Sequence, residues 1–115
     1  MTERPVKVRF RAARVKDDPV PAADIIKGSP KARTFLLYDE DGGRYACGIW
    51  HCSPGTFDWT FGVDEFVYFL EGDARIRYEG GRTIRVKGGE AAHFPPGRVR
   101  WTITRTVKKV FVARS

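Results

Sequence analysis

Helical periodicity is almost absent from this chain. Apolar residues recur instead in short alternating or continuous runs, each closed by a cluster of Gly, Pro and Asp, which is the pattern of an antiparallel all-β domain. Strands are expected near Lys7–Phe10, Thr34–Tyr38, Tyr45–Cys52, Phe57–Thr60, Glu65–Leu70, Ala74–Tyr78, Thr83–Val86, Ala91–Phe94, Val99–Ile103 and Val107–Val112. The separators Asp39-Glu40-Asp41-Gly42-Gly43, Glu71-Gly72-Asp73, Glu79-Gly80-Gly81 and Pro95-Pro96-Gly97 supply the backbone angles that tight connections need. Residues 12 to 33, interrupted by Pro19, Pro21 and Gly28-Ser29-Pro30, form an irregular arm in which Ala22–Ile26 can make one helical turn. Such an arm packs across its own barrel or across a neighbour.

A length of 115 residues is one domain, 1–115, with the N-terminal strand and arm over 1–33 and the barrel over 34–115. The apolar fraction of 42% excludes a disordered chain, and the lack of any long apolar run excludes a helical membrane span, so no membrane partner is expected. The opening MTERPVKVRF lacks the apolar stretch of a secretory signal, which makes the cytoplasm the expected location. Cys47 and Cys52 lie five apart and face opposite ways in one strand, so reduced thiols are expected. The formal charge of +7 raises the question of nucleic acid. The basic residues, Lys108 and Lys109 among them, are scattered along alternating strands as a solvated outer face, no binding motif accompanies them, and no nucleic-acid partner is expected.

Alternation is clean in Ala74-Arg75-Ile76-Arg77-Tyr78, a strand with one wet face. It fails in Glu65–Leu70, where Phe66, Tyr68 and Leu70 make one face while Val67 and Phe69 share the other with Glu65. Both faces want cover: the interior buries one, and the arm or a second subunit must meet the other, so a homodimer is expected.

Glu65, six residues and then Gly72 fit the tail of the first of two motifs of the cupins, small double-sheet jelly-roll β-barrels, which the chain thereby resembles. Gly89–Gly97, ending Phe94-Pro95-Pro96-Gly97, fits the head of the second, with Arg100 in its histidine position and Thr104 in its asparagine position. The histidine positions of the first motif fall on Asp58 and Thr60, or on Trp59 and Phe61. The stretches GIWHCSPGTFDW, DEFVYFLEG, FPPG and RWTI with VKKVFV are similar, over residues 46 to 112, to the branch that includes ureidoglycine aminohydrolase-type domains and short bacterial proteins of unknown role. The resemblance implies an all-β cupin barrel, frequently dimeric. The branch's enzyme holds manganese on a Glu, two His and a Gln, and of that set this chain keeps only the acid.

Arg100 weighs against a metal: a guanidinium stays protonated, has no lone pair to give and repels a cation beside it. No cofactor is therefore expected; a divalent Mn, Zn or Fe on Glu65 and Asp58 is the lesser alternative. With Glu65 and Arg100 both in the lumen, as the resemblance implies, the pair either closes on itself or opens to hold a small polar molecule, its anionic end on Arg100 and its N–H groups toward Glu65 or Asp58. Thr60, Trp59 and Trp50 complete the expected site. By alternation alone Trp101 faces the core and Arg100 the water; the resemblance inverts both. Two functions are carried forward. One is binding of a carboxylate, ureide or sugar acid without turnover. The other is an enzyme on a ureide-like or sugar-like substrate, with Glu65 as general acid or base.

Overall fold

The computed structural model describes residues 4–115. Nine strands make the described residues all-β: β1 (Arg14–Asp17), β2 (Ile25–Gly28), β3 (Ala32–Glu40), β4 (Tyr45–Cys52), β5 (Gly55–Phe61), β6 (Asp64–Tyr78), β7 (Thr83–Lys87), β8 (Ala91–Phe94) and β9 (Gly97–Arg114). Helical structure among the described residues is limited to three short 3-10 turns, and no helix is long and apolar enough to cross a membrane.

All pairings are antiparallel. The sheet runs β1-β3-β4-β9-β5-β2, and β6 lies along the other side of β9 and carries β7 and β8 on its far edge. β9 is therefore the spine. Its first half pairs with β5 (Trp59↔Val99, Phe57↔Trp101), its second half with β4 (Trp50↔Lys109, Cys52↔Val107), and its whole length with β6. One strand flanked by different partners along its length must curl, and the curl closes the sheet round a core of aromatic rings. Trp101, 1% exposed, sits at the middle, stacked on Phe57 and Phe69 with centroids 6.3 Å away.

Three departures from the sequence expectation have local causes. Glu71-Gly72-Asp73 is not a turn; register shifts between Phe69 and Ala74 make it an irregularity inside a continuous β6, with Gly72 at φ 119°. Likewise β9 runs unbroken from Gly97 to Arg114 where two strands are expected. Residues 7 to 9 form no strand and Phe10–Ala12 is a 3-10 turn, whereas the arm supplies two strands the pattern does not announce, β1 on the β3 edge and β2 on the β5 edge. Between them the arm crosses its own barrel, buries Val20 to 6% exposure, and ties Asp18 N–H to the Ala32 carbonyl at 3.2 Å. Cys52 is buried, Cys47 half-buried, and both are free thiols.

Candidate functional site

Among the described residues, the lumen contains one buried charge pair. Lys109 on β9 shares its phase with Val107 and Phe111, so its side chain turns inward, where 4% of the residue remains exposed. Its Nζ donates to Glu65 Oε2 at 2.7 Å. Val67 and Phe111 face each other in the register between them, so the lysine stem lies along an apolar wall to reach the acid. The ammonium also stands 4.6 Å from the Trp50 ring, 5.1 Å from Trp101, 5.7 Å from Phe61 and 5.8 Å from Phe94. Ring faces stabilise a desolvated cation without accepting a full hydrogen bond. An ammonium has three donors, and in the described structure only one meets an oxygen.

The pair lines a cavity of about 180 Å³ together with Asp18, Thr34, Trp50, Trp59, Trp101 and Phe111. Asp18 comes from the arm and accepts from Thr34 Oγ1 at 3.0 Å, placing a second carboxylate at the cavity wall. The lumen is thus an aromatic chamber with two acids and one cation.

Glu65, Trp50 and Trp59 of the expected site meet in this chamber. Arg100, Asp58 and Thr60 do not. Arg100 faces outward, and its Nε and Nη2 donate to Asp58 Oδ1 and Oδ2 at 2.8 and 3.3 Å; this guanidinium holds the Asp58 carboxyl below the usual carboxylate range. Thr60 is exposed and accepts from Arg98 Nη1 at 3.1 Å. The expected opposition of Glu65 and Arg100 is thus corrected, and alternation prevails over the motif alignment. Val99, Trp101 and Ile103 fill the core in one phase, and turning Arg100 inward would expose Trp101, forgoing about 4–6 kcal/mol of apolar burial. It would also bury a guanidinium at a cost of several kcal/mol. The same rule relocates Lys109, expected on the wet face, into the lumen. Asp18, Thr34 and Phe111 are further lining residues that the motif alignment does not reach. Phase with Val107 and Phe111 is the signal that singles out Lys109; no sequence signal brings Asp18 across the barrel mouth.

The family described as EutQ-like cupin domain matches residues 39–111. The chain belongs to this cupin family. It is 33% identical over 81 residues to the Escherichia coli K12 protein named acetate kinase EutQ, covering 70% of this chain and 34% of that one. A Clostridioides difficile relative of the same name is 28% identical over 74 residues, 64% of this chain and 46% of the relative. The chain thus spans about a third to a half of the curated relatives it matches. Among solved structures, a putative ethanolamine utilization protein Q from Salmonella typhimurium LT2 superposes with a TM-score of 0.64 at 29% identity, covering 73% of this chain and 69% of that one. A Pseudomonas syringae protein of unknown function gives a TM-score of 0.76 at 22% identity, over 90% of this chain and 45% of that one, and supports the cupin fold alone.

The residues present do not fit a cupin metal. Among the described residues no group of three or more His, Cys, Asp or Glu is placed to hold one. The lumen acid at Glu65 is already bonded to an ammonium, whose charge opposes a cation at that point. His51 lies outside the chamber, its ring 4.8 Å from Phe35, and His93 Nε2 is 3.0 Å from Asp64 Oδ1 at the surface.

Proposed function

We propose that this cupin binds a small polar metabolite in its lumen, held between the Trp50 and Trp59 side chains, with N–H or O–H donors to Glu65 and an acceptor for Lys109. The observation that carries the reading is that the ion pair lines a cavity instead of closing into solid core. A pair kept only for packing is often replaceable by apolar side chains at no loss, while one beside open volume offers a donor and an acceptor at fixed positions. The chamber's two acids and one cation favour a neutral ureide or sugar-like ligand over the carboxylate that an Arg100 clamp would have taken. They also disfavour nucleotide phosphates. The alignment to the relative named acetate kinase covers 34% of that protein, so the activity in that name is not carried over to this chain.

The enzymatic alternative, of ureidoglycine aminohydrolase type, assigns Glu65 as general acid or base. The place of Glu65 on the cavity wall favours it, since a general acid or base must lie within hydrogen-bond reach of a bound substrate. We also propose a homodimer across the outer face of β6. Phe66, Tyr68 and Leu70 remain about half exposed there, beside Val112 and Val110 of β9, and the arm adds its strands at the opposite edges of the sheet. Two free thiols fit the cytoplasm.

Thermal-shift screening of ureides, sugars and uronic acids tests the lumen. The paired variant Glu65→Gln/Lys109→Met removes both charges together and is expected to fold with a midpoint near wild type. A compound that raises the wild-type midpoint should leave the variant unmoved. An equal response in both proteins, or no response from any compound in wild type, would overturn the reading.

A further inference from the structure

The register of β5, β9, β6 and β7 gathers charges that are far apart in sequence. On the outer face one rung reads Asp58, Arg100, Arg77, Thr83, and the next of the same phase reads Thr56, Thr102, Arg75, Arg85. Arg77 is thus directly opposite Arg100, and Arg75 directly opposite Arg85. Arg98 and Lys87 extend the same face at either end. Like charges facing each other across strands destabilise a sheet, and on this face the six cations Arg75, Arg77, Arg85, Lys87, Arg98 and Arg100 outnumber the carboxylates beside them, Asp24, Asp58, Asp73 and Glu79. Asp58 is taken up by Arg100 and lies 3.8 Å from Arg98, which also bonds Asp24 at 3.3 Å, and Asp73 is taken up by Arg85 through contacts of 2.9 and 2.6 Å. Arg75 and Arg77 are exposed and have no hydrogen-bond or ion-pair partner among the described residues.

Against the expectation drawn from the scattered charge, we propose that this arginine and threonine face binds the phosphate backbone of a nucleic acid, independently of base sequence. Guanidinium and hydroxyl groups are the side chains that contact phosphates, and nothing on the two rungs is aromatic, so the face has no platform on which to stack and read bases. The same lack of apolar anchors argues against a protein partner, whose affinity concentrates in buried aromatic and aliphatic contacts. A phosphate polyanion needs none, because release of its condensed counterions drives binding by cations alone. β9 and β6 are each paired on both sides, so a peptide could not bind here by adding a strand to either of them. The site lies on the opposite side of the sheet from the lumen, and it stands or falls independently of the lumen reading.

Fluorescence anisotropy of the full chain with a labelled single-stranded oligonucleotide of mixed sequence is the test. If four to six phosphates are engaged, log K should fall against log salt with a slope of about −3 to −4, which is a loss of about 100-fold between 50 and 200 mM. Arg75→Gln/Arg77→Gln should make that slope shallower by about 1.4. Lys7→Gln/Lys16→Gln, which removes the same charge from the segment before β1 and from β1 itself, should leave it nearly unchanged. Absence of binding at 50 mM salt overturns the proposal, as do equal losses in the two double variants. Polyglutamate of matched length binding as tightly as the oligonucleotide would assign the face to an acidic polypeptide and overturn it too.

Discussion

His51 shows how a single half-buried side chain ties this fold to pH. Its ring packs on Phe35, and its Nε2 is shielded from solvent with no hydrogen-bond partner among the described atoms. Burial, and next the Lys108 ammonium, hold its pKa below the ordinary 6.5. The unfolded chain therefore takes up a proton at a higher pH than the folded chain does. The stability contributed by neutral His51 is complete above about pH 6.5 and is lost as the pH falls below it. The thermal midpoint of wild type should drop between about pH 7 and pH 5, and His51→Phe should remove part of that drop. An unchanged slope in His51→Phe would show that the ring reaches solvent. At the same scale, Lys109 and Arg100 show what a sequence pattern can and cannot resolve. Phase along the strand separates Arg100 from the lumen and Lys109 into it, and both assignments follow from where Trp101 and Phe111 must point. Motif spacing, which aligned Arg100 with a ligand position, carries no such constraint once the ligand itself has been replaced.

At the scale of elements, the continuous runs of β6 and β9 position the site, and glycine keeps them in register. At Gly72 the backbone is in the left-handed region, and a Cβ would stand 2.8 Å from Val107 Cα and 2.9 Å from the Thr106 carbonyl. Gly80, at φ 104° in the hairpin between β6 and β7, has open space around its missing Cβ. An alanine at either position meets backbone strain of order 1–3 kcal/mol, and at Gly72 it also collides with backbone that cannot swing aside. We expect Gly72→Ala to lower the unfolding midpoint distinctly more than Gly80→Ala does; equal effects would mean that β9 yields at Val107. Most of the strand inventory was legible from alternation, with Tyr45–Cys52 and Ala91–Phe94 matching to the residue. What escaped was long-range. Glu71-Gly72-Asp73 has turn composition, and only pairing with β9 on one side and with β7 at Asp73 keeps it extended. Arg14–Asp17 and Ile25–Gly28 have too little apolar contrast to stand alone, and they become strands because two sheet edges are open to receive them.

For the whole molecule, the outer surface divides into an apolar part around Phe66, Tyr68 and Leu70 and a basic part around Arg75, Arg77 and Arg100. Both lie on β6 and β9, displaced along the strands. A dimer formed through the apolar part would leave the basic part of each subunit uncovered. Sedimentation should give a dimer for wild type, and Tyr68→Lys/Leu70→Lys should shift it to monomer while preserving the β signal in circular dichroism. A monomeric wild type at micromolar concentration would remove that interface. Net charge alone could not have forecast this division, because +7 spread evenly and +7 gathered on one side have the same composition. Finally, all three tryptophans of the chain, Trp50, Trp59 and Trp101, line the one chamber. The protein's intrinsic fluorescence is therefore a built-in probe of its interior, and a guest molecule entering beside Lys109 would change the emission with no label attached.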